Sequence, residues 1–358
     1  MASTKTHANG DAKSNVLTGH QQEPLTASGI LGQYKSFDVT PVIGREFPEA
    51  QLKEWLEAPN ADELLRDLAI TISQRGVVFF RKQDDLDNNL QKQLIQRIGE
   101  LSGKPSTSKL HIHPIASDTP GIKDDEISVI SSERDKKLYA GHLTRIRQSA
   151  ALAWHSDITF EPVPSDYAIL RLTELPETGC DTLWASGYEV YDRISPAYQK
   201  FLEGLSATFE QPLYQEAVKN NSLELFSGER GAPENVGTDM KAIHPVIRTN
   251  PVTGWKSVFA VGIHAKRINE VTEAESTHLL KWFIQLITEN HDLQVRYRWQ
   301  NPGDVAIWDN RSVYHAATAD FDGLGSRTGQ RAVSLGERPY LDLNSVGRAE
   351  GLRSAEKA

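Results

Sequence analysis

The run Leu152–Glu161, LAWHSDITFE, sets a histidine and an aspartate two positions apart in an otherwise apolar stretch. In an extended strand, residues i and i+2 share a face. His155 and Asp157 then project side by side, with Ser156 turned away. An imidazole and a carboxylate aimed at one point can be a structural hydrogen-bonded pair, a catalytic acid–base pair or two thirds of a metal site. The residues on either side have to separate these three.

Working outward, strand-like runs dominate the chain after residue 160: DYAILRLTEL, DTLWAS, AIHPVIRT, KSVFAV, DVAIWDN and QRAVSLGER. Helical periodicity precedes them. Leu64, Leu65, Leu68 and Ile72 share one face of a run ended by Gly76, VVFF (Val77 to Phe80) reads as a buried strand, and Asn88 to Leu101 is a second amphipathic helix. Between residues 102 and 148 only EISVI has strand character. Later helices fall near Tyr188 to Leu205 and in TEAESTHLLKWFIQLITEN, where Thr272 and Glu275 form a capping box. Many short strands with a few packed helices predict a mainly β fold, a barrel or sandwich core with flanking helices. Residues 1–32 read as a disordered polar tail, 33–345 as a single domain and 346–358 as a C-terminal tail. The polar, Gly/Pro-bearing stretch 221–240 reads as a lid loop.

Composition narrows the function classes. The 358 residues carry a net charge of −9 and lack the basic stripe of a nucleic-acid surface. No apolar run approaches the ~20 residues needed to cross a bilayer. A single cysteine, Cys180, excludes an intrachain disulfide, and the expected location is cytoplasmic.

A metal site at His155 and Asp157 requires a third ligand far along the chain, and NPGDVAIWDNRSVYHAATADF supplies His315 just after a strand. Two histidines and one carboxylate with the remaining positions open are the pattern of non-haem Fe(II) oxygenases. Here the chain resembles the taurine dioxygenase (TauD/TfdA-type) family of Fe(II)/2-oxoglutarate-dependent dioxygenases. The matched stretches are WHSDITFE, ELPETGCDTLWAS, HPVIRTNPVTG, VRYRWQNPGDVAIWDN and RAVSLGERP, in family order across most of residues 77–339.

The resemblance implies a double-stranded β-helix (jelly-roll) core, Fe(II) as the metal and 2-oxoglutarate and O2 as co-substrates. It implies His155, Asp157 and His315 as iron ligands, and Thr182 and Arg327 as contacts to 2-oxoglutarate. Arg331 and His113 then face the anionic end of the substrate, and His264, near a usual phenylalanine, lines the substrate pocket; a slip in the loop alignment would exchange Arg327 and Arg331. An arginine suits a carboxylate because its planar fork gives bidentate hydrogen bonds. The chemistry so implied couples decarboxylation of 2-oxoglutarate to succinate with oxidation of a substrate C–H. Ala116 and Ala151 stand where taurine-type members carry groups for the substrate amine, so the anion end is kept and the other end rebuilt. The expected partner is a small anionic molecule, a sulfonate or carboxylate, with an amino acid or specialised metabolite as the alternative. A homo-oligomer is also expected from the resemblance.

Overall fold

The computed structural model describes residues 23–115, 124–221 and 223–357. Ala116 lies outside the described residues. The chain runs through β1 (Phe37–Asp38), β2 (Arg45–Phe47), α1 (Leu52–Glu57), α2 (Ala61–Arg75), β3 (Val77–Phe80) and α3 (Asn88–Leu101). β4 (Ser128–Ser131), α4 (Ser132–Gln148), β5 (Ser165–Glu174), β6 (Thr182–Ser186), α5 (Gly187–Asp192), α6 (Pro196–Leu202), β7 (Ser206–Glu210) and α7 (Pro212–Asn221) follow. The remainder is β8 (Lys241–Pro245), β9 (Ile247–Thr249), β10 (Lys256–Val258), β11 (Ala265–Ile268), α8 (Glu273–Thr288), β12 (Gln294–Tyr297), β13 (Val305–Asp309), β14 (Val313–Ala317), β15 (Thr328–Leu335) and α9 (Arg348–Ala355).

Seven strands form the main sheet in the order β1-β2-β3-β13-β5-β15-β4, and β12-β6-β14 form a second sheet. Strands β3 and β13 are buried along their whole length, as central strands covered on both faces must be. Between the two sheets lies a core of Phe79, Trp184, Val295, Tyr297, Ala168, Leu170 and Trp308. Phe79 stacks on Tyr297 with ring centroids 4.0 Å apart. Helices α2 and α3 pack on the outer face of the main sheet through Leu64, Leu68, Ile72, Leu94, Ile95 and Ile98. The result is a β core with flanking helices, as the strand-rich pattern predicts.

Local signals set the helix ends. Asp87 accepts from Leu90 N (2.8 Å) at the start of α3, and the Thr272–Glu275 capping box opens α8. Gly76 ends α2 at φ +74°, and a β-carbon there would meet Val313 Cγ1 at 2.5 Å. Only glycine meets both demands.

The structure departs from the sequence reading at several places. The stretch around His155 is no strand: a 3-10 turn (Ala150–Ala153) leads into a single bridge at His155 and then a turn. Residues 132–148 form α4, which the polar composition hid. The helical region near Tyr188 to Leu205 is two helices, since Pro196 cannot continue α5 and instead starts α6. Neither terminal segment is loose throughout. Asp67 accepts from Ser28 N, Gly29 N and Ile30 N, and α9 lies so close to Trp255 that a β-carbon on Gly351 would meet its Nε1 at 2.3 Å.

The stretch 221–240, expected as a lid, is anchored to the body. Arg230 Nε and Nη2 donate to the two oxygens of Glu161 (2.6 and 2.9 Å), and Asn235 exchanges hydrogen bonds with the Val163 backbone. Both side chains are fully buried, so the loop is part of the packed structure.

Candidate active site

Two backbone hydrogen bonds bring the distant motifs together. His155 N donates to His315 O (3.0 Å) and His315 N to His155 O (2.7 Å), an antiparallel bridge that sets the two imidazoles opposite each other with centroids 4.2 Å apart. His315 stands on β14 and packs against Trp308, whose ring centroid is 5.1 Å away. Asp157 reaches the same point from the turn after His155. Its backbone N–H is held by Asn310 Oδ1 (3.0 Å), Ser156 Oγ points the other way to Val313 O (2.6 Å), and Ile158 takes a left-handed φ of +47°. A β-branched residue at positive φ is strained, and such strain collects where a site dictates the backbone.

The three side chains offer ligand atoms all within 4.8 Å of one another. His155 Nδ1 lies 2.8 Å from Ala153 O, which holds the proton there and leaves Nε2 with a free lone pair. Asp157 Oδ2 is buried with no hydrogen-bond partner, and His315 turns Nε2 toward this carboxylate, 3.9 Å from Oδ1. Orphaned buried polar atoms are uncommon, and a metal ion would satisfy this set. Protonation is already arranged for one: burial lowers both imidazoles, His315 to about 3. Burial alone would raise the Asp157 carboxyl, but Arg331, His315 and His155 outweigh it and hold it at about 2. The donors are therefore neutral, neutral and anionic, as metal ligation requires.

Arg327 and Arg331 approach from one face of the β15 segment, four positions apart. Arg331 Nη1 forms an ion pair with Asp157 Oδ1. Arg327 is 7% exposed, and its Nε, like that of Arg331, has no partner. Thr182 opens β6 opposite Ala317 of β14; its Oγ1 accepts from Trp299 Nε1 (3.1 Å), which leaves the hydroxyl hydrogen free to donate. All these residues line one cavity of about 270 Å³.

His113 and His264 also face that cavity, but both are engaged by the protein. His113 Nε2 meets the Tyr214 hydroxyl (3.2 Å), and its Nδ1 the Ile115 backbone. His264 Nδ1 lies 3.0 Å from Thr159 Oγ1 and its Nε2 accepts from Gln211 (3.0 Å), so this imidazole is pocket wall. The remaining wall comes from helices that the sequence reading missed. α4 contributes Asp135, Leu138 and Tyr139, and α7 contributes Tyr214. Tyr139 breaks the helical geometry of α4 (φ −131°, ψ 26°). The polar sequence SERDKK gives no periodic signal that would have revealed it.

Comparison with known proteins agrees with this geometry. The family described as taurine catabolism dioxygenase TauD, TfdA matches residues 35–333. The α-ketoglutarate-dependent dioxygenase btcD of Neocamarosporium betae is 56% identical, over 92% of this chain and 98% of that protein. The α-ketoglutarate-dependent sulfonate dioxygenase of Saccharomyces cerevisiae is 31% identical, over 89% of this chain and 71% of that protein. The crystal structure of a taurine dioxygenase from Burkholderia xenovorans shares the fold, with a TM-score of 0.62 at 23% identity over 85% of this chain and 90% of that one. No helix among the described residues is long and apolar enough to cross a membrane. With ligand atoms, arginines and relatives in accord, the chain belongs to the TauD, TfdA family and is an α-ketoglutarate-dependent dioxygenase, whose metal is Fe(II) and whose co-substrates are 2-oxoglutarate and O2.

Proposed function

We propose that this enzyme oxidises a C–H bond of a small acid, a carboxylate or sulfonate with an apolar body, while converting 2-oxoglutarate to succinate. The carrying observation is the placement of Arg331 beside Asp157 in a cavity whose wall includes an apolar stretch of Ile130, Leu138, Ile158, Leu213 and Ile263. A guanidinium in such surroundings fixes the acid of a ligand, and the apolar wall accommodates its body. The two facing sheets are read as the layers of a jelly roll.

In this reading His155, Asp157 and His315 hold Fe(II), which supplies O2 activation coupled to decarboxylation. Arg327 forms a fork with the far carboxylate of 2-oxoglutarate, and Thr182 adds one hydroxyl donor. With Asp157 engaged as a ligand, Arg331 would be the cation that meets the substrate acid. Tyr214 orients His113, whose ring closes the anion end. The apolar wall and Tyr139 then decide which carbon lies within reach, and they exclude water around it.

A second reading, an amino acid substrate, is favoured by Asp135. Its carboxyl enters the same cavity from α4, where it could accept from an ammonium group. Aerobic assay of a panel of sulfonates, alkyl carboxylates and amino acids, read by succinate formation, tests the proposal. Sulfite release would identify a sulfonate substrate. Succinate formed only with amino acids would favour the second reading, and none above background with any acid would overturn both.

A further inference from the structure

The active-site cavity does not end at the metal ligands. A second cavity of about 470 Å³ lies against it, and Asp135, His155, Ile263, Ala317 and Arg327 wall both. Asp157 and His315 are buried, whereas His155 is only partly so. Ala317, two residues past His315 on β14, is exposed. The ligand cluster is therefore sealed around Asp157 and open on the His155 side, where the two cavities meet.

Beyond His155 the second cavity is framed by α4 and by the segment that follows β14. Its lining there is largely apolar, with Ile146, Ala153, Ile263, Ala319 and Phe321. Ile146 and Phe321 each pack on a buried core with one side and line the cavity as well. Apart from the shared residues, its charged groups are Lys136, Arg147 and Asp322, all about half exposed, which mark the solvent end. Lys136 Nζ and Arg147 Nη1 each pair with Asp322 (both 3.1 Å) and so tie α4 to the segment after β14. Exposed pairs of this kind contribute little energy, so the apolar lining dominates what the cavity can bind. An acid confined to the first cavity would leave that lining in water.

We propose that the substrate is an acid with a long apolar chain: the acid group lies at Arg331, and the chain passes His155 into the second cavity, between α4 and the segment after β14. This deepens the reading given above and rests on its assignment of Arg331. The continuity of the two cavities at His155, and the apolar lining beyond it, select this occupant over a short sulfonate or an amino acid.

The experiment is anaerobic calorimetric titration of straight-chain carboxylates, butanoate to decanoate, into the full chain loaded with Fe(II) and 2-oxoglutarate. Loading the co-substrate first removes whatever space it takes. Affinity should rise about fourfold per methylene, the gain from burying one CH2, and level off when the cavity is full. Ile146 and Ala319 line the second cavity and not the first. Ala319→Phe, which fills it, should weaken decanoate binding about tenfold or more and leave butanoate unchanged. Ile146→Ala, which pares the same wall, should weaken decanoate about fivefold. Arg331→Ala should weaken every member of the series alike, by about tenfold. Affinity independent of chain length, with binding that still needs Arg331, overturns the chain site and leaves the acid site standing. A length dependence that survives both Ala319→Phe and Ile146→Ala also overturns it, because the chain then lies elsewhere. Binding untouched by Arg331→Ala, or no binding by any carboxylate, overturns the assignment of Arg331 and this inference with it.

Discussion

Two aspartate–arginine pairs with buried carboxylates stand close to the two histidine motifs, and they are finished differently. Asp309, at the end of β13, accepts from Arg311 N (2.9 Å) and Nε (2.8 Å) on one oxygen. Its other oxygen accepts from Ser73 Oγ (2.7 Å), Asn250 Nδ2 (2.9 Å) and Arg311 Nη2 (2.8 Å). The Arg311 guanidinium also lies 4.5 Å from the centre of the Tyr167 ring. Asp157 and Arg331 form an ion pair of the same type, yet Asp157 Oδ2 and Arg331 Nε stay unpaired beside a cavity. On the proposed reading, the open network is the one that takes a ligand. Both carboxylates are buried, but Arg331 is partly open where Arg311 is sealed, and the count of satisfied atoms differs in the same sense.

The largest expected effect comes from breaking the closed pair. Arg311→Met strands Asp309 in the interior and should remove about 3–5 kcal/mol of stability, measured by urea denaturation of the metal-free protein. Arg331→Met opens onto a cavity that water can enter, so about half that loss or less is expected. Equal losses would erase the distinction between the pairs.

Loading the open pair is the next test. Fe(II) under anaerobic conditions, at a hundredfold excess over its dissociation constant, should stabilise the chain by about 2.7 kcal/mol. A chelator should reverse the gain, and Asp157→Ala should abolish it while the ligand-free midpoint stays near that of the wild type. A gain that survives in Asp157→Ala would place the metal elsewhere. Arg331→Ala should raise the substrate KM by about tenfold or more, as for a lost charge-assisted hydrogen bond, with 2-oxoglutarate affinity less affected. The opposite pattern would exchange the roles of Arg327 and Arg331.

The smallest effect concerns a third buried carboxylate, Glu161, which pairs with Arg230 and lies 3.2 Å from His111. Burial alone would raise its carboxyl, but the hydrogen bonds from His111 and Arg230 hold it below the ordinary value. The unfolded chain therefore takes up the proton first. Stability from Glu161 is complete above about pH 4.3 and is lost as the pH falls through the lower folded value. Glu161→Gln should flatten the acid limb of a stability–pH curve; an unaltered slope would assign that limb to other carboxylates.

What was legible in the sequence was whatever repeats locally. The bounds of α3, the VVFF strand and the capping box of α8 follow from spacing over a few residues, because periodic burial is written into adjacent positions. The H-x-D pair was legible as a site, but for a reason the structure replaces. No strand aligns His155 with Asp157; one bridge to His315 and the left-handed turn at Ile158 do so. Helix α4 was illegible because its polar run has no apolar stripe, and its place depends on β4 pairing with β15. His264 was legible as pocket wall, while its two hydrogen bonds to Thr159 and Gln211, distant in sequence, were not.

The sequence by itself determined which chemical groups the protein owns, their order along the chain and the β-rich class of its fold, since composition and short-range pattern carry that information. Only the tertiary structure decided that residues 155, 157, 315, 327 and 331 meet in one cavity, and that Asp157 stays open while Asp309 is closed. Those outcomes depend on strand register between segments more than a hundred residues apart, as in Thr182 facing Ala317, and no local spacing encodes them.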